Sequence, residues 1–551
     1  MILRACDNSH EDDAMIAQRK GKKNMKRVLI SDTLSPEGIE ILKNTPGLEV
    51  DVMTNLTPDE LKGVIKDYDG LAIRSATKVT KEIIEKADNL KVVGRAGIGV
   101  DNVDVNAASK RGIVVMNTPG GNTITTGEHT IAMMFALARQ IPQATASMKG
   151  GKWDKKTFMG AEVYNKTLGI IGIGRVGTIV ADRAQGLKMN VIAYDPFLAH
   201  ETADKMGLTL VSLDELLKRS HFISVHTPLT KDTLNILNAA AIAKMRKGVF
   251  IVNCARGGIV NEKDLLDALN SGKVAGAALD VFEEEPTKNK ELVNHPNVIC
   301  TPHLGAATDE AQRNVAIAIA EQIADFLTKG EIRNAINFPS VSAELLTHIQ
   351  PYLALAEKLG TFEAQIVKGG IEEVAVEYAG DIVNYNVAPL TIALLKGLLT
   401  PILNANINFI NAPFIAKERN IKVVESKSSE VKDFTSMISV TIKTTEEKSY
   451  AAGAIFGKQD ARIVRIEKFS MEVIPEGHMI VLYNNDKPGV IGNIGHTLGN
   501  NGINIARFQL SREHVDGKAL VVLSTDTVVP GDILKKLRDL PNVISLTQLE
   551  M

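Results

Sequence analysis

The stretch Thr167-Leu-Gly-Ile-Ile-Gly-Ile-Gly-Arg-Val-Gly177 decides how the rest of the sequence is interpreted. Its apolar first half predicts a buried strand, and the residues from Arg175 onward predict a helix. Gly172 allows a tight turn, Gly174 lets the backbone approach a pyrophosphate, and Gly177 lets the helix pack closely on the strand. Because a helix N-terminus attracts negative charge, this strand–turn–helix unit predicts a dinucleotide-binding site.

A carboxylate follows the glycine motif at a suitable distance. Asp195 ends the next predicted strand, in Val191-Ile-Ala-Tyr-Asp-Pro196, and follows Gly177 by 18 residues. This spacing is close to the roughly 20 residues expected for an acid that binds the ribose hydroxyls. A carboxylate there repels a 2′-phosphate, so the sequence predicts NAD rather than NADP. The alternative is a glycine turn in an unrelated α/β unit.

The composition excludes several classes of protein. The chain has 551 residues, 44% hydrophobic and 23% charged, and a formal net charge of −2. These values are typical of a globular protein of about two to four domains. There is no basic stripe and no long apolar stretch, so we expect neither a nucleic acid nor a membrane as partner. The three cysteines have no paired or metal-like spacing, which predicts no metal site and a reducing compartment, the cytoplasm.

Residues 1–24 differ from the rest of the chain. Their apolar start is too short for the hydrophobic region of a signal peptide. The acids in His10-Glu-Asp-Asp13 argue against a transit peptide, which avoids acids. We interpret the segment as a disordered extension or a start-site artefact, and predict that the folded chain begins near Met25.

Two α/β units follow one another along the chain. From Lys26 to about Thr118, short apolar runs alternate with helical patterns, which predicts a parallel sheet covered by helices. The alternation continues after Leu168, but only this second unit contains the glycine motif. In such sheets, ligands bind outside the carboxyl ends of the strands. The polar residues that follow its predicted strands are His226, Thr227, Cys254, Arg256, Asp280 and His303.

Three side chains of the second unit suit the oxidation of an alcohol. His303 is a candidate base for the hydroxyl proton, because the pKa of histidine lies near neutrality. A carboxylate on its other ring nitrogen would hold the tautomer, and we assign this to Glu285. Arg256 is a candidate for binding a substrate carboxylate with two hydrogen bonds. Alternatives remain open: His303 bonded only to backbone, Glu283 or Glu284 as the functional acid, and Arg256 bridging surface carboxylates.

Four segments of the chain resemble the D-isomer-specific 2-hydroxyacid dehydrogenases. They are Gly172–Gly177, Asn253–Val260, Ala277–Pro286 and Pro302–Ala306. The resemblance implies that Arg256, Glu285 and His303 are catalytic, that the cofactor is NAD, and that the substrate domain is split around the cofactor domain. The implied cofactor-binding residues are Gly172, Gly174, Arg175, Val176, Gly177, Asp195, Thr227, Cys254, Arg256, Asp280 and His303.

Within that family, the segments Ile73–Val79, Val93–Asp104 and Ile141–Met148 resemble members that oxidise 3-phospho-D-glycerate, the first step of L-serine biosynthesis. The implied substrate-binding residues are Arg74, Ser75, Arg95 and Gly97. A carboxylate together with a phosphate favours more than one guanidinium. The alternatives are a dehydrogenase of glycerate, lactate or 2-hydroxyglutarate, and a non-catalytic NAD-binding scaffold.

The last part of the chain resembles an ACT domain, a small-molecule sensor. Its predicted order of elements is βαββαβ, and Asn484–Gly489 with Gly502–Ala506 match its effector-loop pattern. The resemblance implies Asn484, Asp486 and Asn504 as effector residues, with Asn504 on the partner side. L-serine is the implied effector, although Asp486 stands where serine-binding members have asparagine. The alternative is a domain kept only for subunit pairing.

The predicted fold is α/β, with a Rossmann-type NAD domain inserted in a flavodoxin-like substrate domain, then an α+β intervening domain and the ACT domain. We expect a homo-oligomer, a dimer or tetramer, because the helix predicted at Thr130–Arg139 is apolar on too many sides. The predicted boundaries are 1–24 for the extension, 25–118 and 309–337 for the substrate domain, 119–308 for the nucleotide domain, 338–475 for the intervening domain and 476–551 for the ACT domain.

Overall fold

The computed structural model describes residues 25–339, 343–403, 406–430 and 434–551, so the predicted extension 1–24 lies outside the described residues. It confirms the predicted fold class: two parallel sheets come first, and a mixed sheet and an antiparallel sheet follow. None of the helices within the described ranges combines the length and hydropathy that a bilayer crossing requires.

The first unit is a five-stranded parallel sheet with the order β2-β1-β3-β4-β5. Its strands are short apolar runs that become completely buried, as in β3, because helices cover both faces. The strands are β1 Lys26–Ile30, β2 Leu48–Val52, β3 Gly70–Ile73, β4 Val92–Arg95 and β5 Val114–Met116. The helices are α1 Pro36–Asn44, α2 Pro58–Val64, α3 Lys81–Lys86 and α4 Val105–Lys110.

The second unit is a seven-stranded parallel sheet with the order β12-β11-β10-β9-β6-β7-β8. The order reverses between β6 and β9, and such a switch point is where doubly wound sheets bind ligands. The strands are β6 Thr167–Ile171, β7 Asn190–Tyr194, β8 Thr209–Leu210, β9 Phe222–Val225, β10 Val249–Asn253, β11 Val274–Leu279 and β12 Val298–Cys300. The helices are α5 Thr123–Ala138, α6 Ile141–Lys149, α7 Arg175–Gly186, α8 His200–Lys205, α9 Leu213–Arg219, α10 Ala239–Lys244, α11 Glu262–Asn270 and α12 Lys290–Val293. We call residues 123–305 the second lobe.

A long helix returns from the second sheet to the first. Helix α13, Asp309–Lys329, begins after the N-cap Thr308, whose side chain accepts a hydrogen bond from the backbone N of Ala311. It packs against α1 so closely that a Cβ on Gly38 would lie 2.7 Å from the carbonyl oxygen of Ala316. Residues 26–116 and helix α13 therefore share one core, and we call them together the first lobe.

The third unit is a six-stranded mixed sheet with the order β14-β13-β15-β16-β17-β18, covered by helices. Its helices are α14 Ala343–Ile366, α15 Ala388–Leu399 and α16 Ala412–Glu418. Its strands are β13 Ile371–Gly380, β14 Lys422–Ser428, β15 Ser436–Thr444, β16 Lys448–Phe456, β17 Asp460–Ile466 and β18 Phe469–Val473. This unit contacts the first lobe through Ile410, which is buried in the core of that lobe, and through Asn408, whose Nδ2 donates to the carbonyl of Gly112 at 2.9 Å.

The fourth unit has the βαββαβ order that the sequence predicts, with an antiparallel sheet ordered β20-β21-β19-β22. Its elements are β19 His478–Asn485, α17 Val490–Asn500, β20 Ile505–Arg512, β21 Lys518–Thr525, α18 Gly531–Arg538 and β22 Val543–Glu550. One apolar cluster continues from α14 and β13 of the third unit into β19 and β21 of the fourth. The two units therefore share a core.

A buried acid lies in helix α14, close to this shared core. Glu363 is fully buried, and neither of its carboxylate oxygens has a hydrogen-bond partner within the described part of the chain. Burial raises the pKa of Glu363 to about 8, and the nearby charges of Glu467 and Glu447 act in the same direction. The hydroxyl of Ser449 opposes the shift, but without a hydrogen bond of normal geometry. Glu363 is therefore neutral at neutral pH.

This burial predicts a loss of stability as the pH rises. Between the ordinary value of 4.5 and about 8, the unfolded state loses the Glu363 proton while the folded state keeps it. The free energy of unfolding then falls by about 1.4 kcal/mol per pH unit. We expect Glu363→Leu to raise the melting temperature more at pH 8 than at pH 5, as measured by differential scanning calorimetry.

The control for this experiment is Glu377→Leu, which replaces an exposed acid on strand β13. It should change the melting temperature by the same small amount at both pH values. If Glu363→Leu shifts the melting temperature equally at pH 5 and pH 8, its carboxyl group does not titrate in the way described.

Candidate active site

The candidate site residues lie at the carboxyl ends of the strands of both parallel sheets. In the first lobe, Arg74 and Ser75 follow β3, and Arg95 and Gly97 lie at the end of β4. In the second lobe, each candidate follows the strand that the sequence predicts for it. These are Gly172 and Gly174 after β6, Asp195 after β7, Thr227 after β9, Cys254 and Arg256 after β10, Asp280 after β11 and His303 after β12.

The glycine loop has the backbone geometry that its motif predicts. Gly172 has a φ of +92°, and a Cβ on it would lie 2.7 Å from Cγ2 of Thr227. A Cβ on Gly177 would lie 2.1 Å from the carbonyl oxygen of Gly172, so the helix needs glycine there. Gly174 has no neighbour within 4 Å of its Cβ position, so its side of the loop is open. Arg175 and Val176 form the first turn of α7 beside this open space.

Asp195 holds the glycine loop in position. One of its carboxylate oxygens accepts a hydrogen bond from the backbone N of Ile173 at 2.8 Å, and the other accepts from the backbone N of Phe197 at 2.9 Å. Each oxygen keeps a further lone pair for another donor. The hydroxyl of Thr227 is buried without a hydrogen-bond partner in the described structure. The open glycine loop, the carboxylate of Asp195 and the unsatisfied hydroxyl of Thr227 lie at one edge of the sheet. These groups suit the pyrophosphate and ribose of NAD.

Two other predicted cofactor residues are buried under this edge. Asp280 is fully buried, and its carboxylate accepts hydrogen bonds from the hydroxyl of Thr301 at 2.6 Å and from the backbone N of Gly305 at 2.8 Å. Burial alone would raise the pKa of Asp280, but hydrogen bonds from His129 and Thr301 hold it below its ordinary value. Asp280 thus acts on the site through the loop 301–305. Burial raises the pKa of Cys254 to about 12, so its thiol is neutral.

The structure brings His303 and Glu285 together. Nδ1 of His303 lies 2.8 Å from Oε2 of Glu285, and His303 has a φ of +56°. Burial alone would raise the pKa of Glu285, but the hydrogen bond from His303 holds it below its ordinary value. The neighbouring acids point elsewhere: Glu284 pairs with Lys288, and Glu283 accepts from a backbone N. Of the three acids in this segment, Glu285 is the one that contacts the histidine.

Three guanidinium groups converge from the two lobes. Arg256 of the second lobe approaches the first, since a Cβ on Gly99 would lie 2.0 Å from its Nη2. Arg95 lies beside Gly97, where a Cβ would be 2.2 Å from its Nη1, so only glycine leaves room for that side chain. Burial lowers the pKa of Arg95 to about 10, and the charges of Arg256 and Arg74 contribute. The cleft is therefore strongly positive.

The segment that carries Arg74 and Ser75 is fixed by a buried acid. The carboxylate of Asp32 accepts hydrogen bonds from the backbone N of Arg74 at 2.6 Å and from the backbone N of Thr77 at 3.1 Å. Within the described residues, the Arg74 side chain donates a single long hydrogen bond, 3.4 Å, to the carbonyl of Thr33, and Ser75 is exposed. Both side chains thus remain available to a ligand.

The three predicted effector residues do not meet within one chain. Asn484 is buried, its Oδ1 has no hydrogen-bond partner in the described ranges, and Asp486 follows it and pairs with Arg512 at 3.3 Å. Asn504 donates to Asp526 at 2.8 Å at the other end of the sheet. The register pairs Asn484 with Ala519 and Ile505 with Thr525, which separates the two positions by about 20 Å.

The sequence analysis missed three residues of the site. Asp101 accepts a hydrogen bond from Arg256, and His129 and Thr301 contact the carboxylate of Asp280. Asp101 lies in a segment quoted for its resemblance, Val93–Asp104, but nothing in the sequence shows which residue it faces. His129 is on helix α5, where a lone histidine carries no local signal.

Models of three protein families match the chain. The NAD binding domain of the D-isomer specific 2-hydroxyacid dehydrogenases matches residues 131–305. The D-3-phosphoglycerate dehydrogenase intervening domain matches residues 348–467, and the ACT domain matches residues 478–542.

Relatives of known name cover almost the whole chain. It is 46% identical to the D-3-phosphoglycerate dehydrogenase of Methanocaldococcus jannaschii, over 94% of this chain and 98% of that protein. It is 42% identical to the D-3-phosphoglycerate dehydrogenase of Bacillus subtilis, over 96% of this chain and 100% of the relative. The D-3-phosphoglycerate dehydrogenase of Rattus norvegicus is 46% identical over 74% of this chain and 76% of its own length.

Solved structures match more than half of the chain. A glyoxylate reductase from Paecilomyes thermophila has a TM-score of 0.53 and 31% identity, covering 57% of this chain and 98% of its own. D-lactate dehydrogenase from Aquifex aeolicus, in complex with NAD and lactic acid, has a TM-score of 0.51 and 28% identity, covering 57% of this chain and 100% of its own.

The open side of the glycine loop gives a test of cofactor binding. We expect Gly174→Ala to leave the melting temperature without cofactor unchanged, because its Cβ position is empty. The same Cβ would keep a pyrophosphate from the backbone, and the loss of one or two such hydrogen bonds weakens binding by about 10-fold or more. Titration with NADH, followed by its fluorescence, measures the affinity.

Two further variants are controls for this result. Gly177→Ala should lower both the melting temperature and the NADH affinity, because its Cβ would collide with Gly172. Gly186→Ala, in open space at the other end of the same helix, should leave the NADH affinity unchanged and should not lower the melting temperature, because alanine favours a helix. Normal NADH affinity in Gly174→Ala would mean that the pyrophosphate does not bind at this loop.

Proposed function

The chain belongs to the family of D-3-phosphoglycerate dehydrogenases, and we propose that Arg256, Glu285 and His303 carry out its reaction. The reaction is the NAD-dependent oxidation of 3-phospho-D-glycerate to 3-phosphohydroxypyruvate, the first step of L-serine biosynthesis. The observation that supports these residues most directly is the 2.8 Å contact between His303 and Glu285 at the carboxyl edge of the NAD-binding sheet.

His303 acts as the base in this proposal. Its Nδ1 faces Glu285, so the tautomer that donates from Nδ1 leaves Nε2 free to take the proton of the substrate hydroxyl. The negative charge of Glu285 then stabilises the imidazolium that forms. When bound, NAD accepts the hydride that leaves the substrate carbon. The fixed backbone of loop 301–305 keeps the imidazole oriented for this transfer.

The arginines of the cleft bind the substrate. Arg256 is the partner for its carboxylate, and Arg74 and Arg95 are the partners for its phosphate. The partly buried Arg95, whose Nε has no hydrogen-bond partner in the described ranges, supports this assignment. A guanidinium binds two anionic oxygens at once, so each of the two acidic groups has a suitable partner. Ser75 and the backbone at Gly97 lie next to these arginines and complete the phosphate site.

The second lobe binds the cofactor. The backbone of Gly172, Gly174, Arg175, Val176 and Gly177 would hold the pyrophosphate, and the carboxylate of Asp195 would accept from the ribose hydroxyls. Thr227 supplies a hydroxyl that needs a partner. Cys254, the backbone beside Arg256 and His303, and Asp280 through the loop 301–305 would hold the nicotinamide part of the cofactor.

A homo-oligomer in the cytoplasm completes the proposal. Large apolar side chains are exposed on and after helix α6, a surface that a second copy of the chain would cover. They are Ile141 at 50%, Met148 at 52%, Trp153 at 76% and Met159 at 79% of full exposure. The described cysteines Cys254 and Cys300 form no disulfide, which suits a reducing compartment.

We also propose that L-serine binds the fourth unit between two chains. The buried amide of Asn484 has an acceptor without a partner in the described ranges, and Asp486 follows it by two residues in the sequence. Asn504 lies about 20 Å away in its own chain, so it would serve the site of a partner chain. The carboxylate of Asp486 accepts from the amino group of serine but repels its carboxylate, which keeps the affinity low.

The substrate assignment has a direct test. Purified protein with NAD should form NADH when 3-phospho-D-glycerate is added, and should consume NADH with 3-phosphohydroxypyruvate. We expect Arg95→Ala to raise the KM for 3-phospho-D-glycerate by about 10- to 100-fold, because a charge-assisted contact to the phosphate is lost. Absorbance at the NADH band measures both.

The comparison substrates are D-glycerate, D-lactate and D-2-hydroxyglutarate, which lack the phosphate. Any activity on them should change little in Arg95→Ala, and NADH affinity should stay at the wild-type value. A wild type that is inactive with the phosphorylated substrates in both directions would overturn the proposal. Equal losses on all substrates would remove Arg95 from the phosphate site.

The effector proposal predicts opposite effects of two neighbouring substitutions. Asn484→Ala should weaken L-serine binding by about 10-fold, through the loss of hydrogen bonds to a charged ligand. Asp486→Asn should strengthen it by a similar factor, because a repulsive charge is removed. Isothermal calorimetry measures the affinity, with D-serine as control ligand. No heat of L-serine binding in the wild type or in Asp486→Asn would contradict the site.

A further inference from the structure

The guanidinium of Arg256 is held by groups from both lobes. Its Nε donates to Oδ2 of Asp101 at 3.0 Å, and its Nη1 donates to the carbonyl of Ala255 at 2.6 Å. Asp101 belongs to the first lobe, in the loop between β4 and α4, whereas Ala255 follows β10 of the second lobe. The two residues that form the ion pair are 155 positions apart in the sequence.

Within the described residues, these contacts leave Nη2 and one N–H of Nη1 without a hydrogen-bond partner. Nη2 faces the backbone of Gly99, where a Cβ would lie only 2.0 Å away, and Nη1 keeps one further N–H. A substrate carboxylate that binds with both oxygens needs these two nitrogens presented together. Rotation about the last side-chain bonds of Arg256 would turn them away, and the hydrogen bond from Nε to Asp101 restricts that rotation.

The ion pair contributes little to the stability of the fold. The side chain of Asp101 is 71% exposed and that of Arg256 is 29% exposed, so water screens the attraction between them. Its consequence is geometric: it exists only while the loop after β4 lies against the loop after β10. Asp101 can therefore orient Arg256 only when the two lobes lie against each other.

The charges around Asp101 favour this arrangement. It faces the guanidinium of Arg256 directly, and its charge also opposes the lowering of the pKa of Arg95. The other acid near the cluster, Asp32, is already bound to the backbone N of Arg74 and of Thr77. Within the described residues, the carboxylate of Asp101 accepts no hydrogen bond from a backbone N, unlike that of Asp32.

We propose that Asp101 is a positioning residue, which acts through Arg256 and orients its guanidinium towards the substrate carboxylate when the lobes come together. The inference rests on the proposed function, because it needs Arg256 to bind that carboxylate. Asp101 itself touches neither substrate nor cofactor. A poorly oriented Arg256 still binds an anion, but it holds the reacting carbon in the wrong place for His303, so the loss appears in the chemical step.

The proposal predicts a change in kcat with little change in KM. We expect Asp101→Ala to lower kcat for 3-phospho-D-glycerate by about 10-fold, whereas KM changes by less than about 3-fold. Arg74 and Arg95 still bind the phosphate, and the removal of a negative charge beside them opposes any rise in KM. Asp101→Asn keeps an oxygen that accepts from Nε and should retain kcat within about 3-fold of wild type.

Two controls separate positioning from a general structural effect. Asp88→Ala removes a comparable arginine–carboxylate pair of the first lobe, 3.3 Å from Asp88 to Arg111 and far from the cleft in the fold, and should leave kcat unchanged. In an Arg256→Lys background, which has no Nε donor at that position, Asp101→Ala should lower kcat by less than about 2-fold. NADH affinity should equal that of the wild type in Asp101→Ala and Asp101→Asn.

Each other result overturns the inference in a recognisable way. An unchanged kcat in Asp101→Ala shows that Arg256 needs no orientation from the first lobe, and a lowered KM with unchanged kcat makes Asp101 a competitor of the substrate. If Asp101→Ala and Asp101→Asn lower kcat equally, Asp101 has a different role. The same holds if Asp101→Ala lowers kcat by the full factor of about 10 in the Arg256→Lys background. A wild type without activity overturns the proposed function and this inference together, whereas an active wild type confines the failure to Asp101.

Discussion

The position of His303, the proposed base, depends on one buried charge, the carboxylate of Asp280. A charge without water is costly unless every oxygen has donors, and here the donors are the hydroxyl of Thr301 and the backbone N of Leu304 and of Gly305. These donors belong to the loop that carries His303. The loop cannot move without leaving the charge unsatisfied, and this explains how a residue with a φ of +56° is held in a sparsely populated conformation.

The same loop is bound to the helix that connects the two lobes. Helix α5 is the first element after the chain leaves the first sheet, and its Thr126 donates to the carbonyl of Gly305 at 2.9 Å. One turn further on, His129 lies 3.4 Å from the carboxylate of Asp280. The orientation of the connecting helix and the position of His303 are thereby fixed by one network, while Arg256 takes its orientation from the opposite lobe.

The parts of the site that follow from local sequence could be predicted, and the contacts between distant segments could not. The glycine loop and the polar residues after each strand are local features, because a strand and its following turn lie together in sequence. The choice of Glu285 over its neighbours came only from resemblance, since three successive acids look alike without coordinates. Asp101 faces Arg256 from another lobe, and Ile410 enters the core of the first lobe from the third unit, and no periodicity encodes either contact.

The charge balance of the cleft explains why two acidic groups on the substrate matter. Within the described residues, Arg95 feels the charges of two other guanidinium groups, of Arg74 and Arg256, and of two acids, Asp101 and Asp32. Three guanidinium groups against these two acids leave an excess of positive charge, and burial, together with the charges of Arg256 and Arg74, lowers the pKa of Arg95. A substrate with one acidic group neutralises part of this excess, whereas one with a carboxylate and a phosphate neutralises it from both sides. Selectivity then follows from the number of enclosed cations as much as from the shape of the cleft.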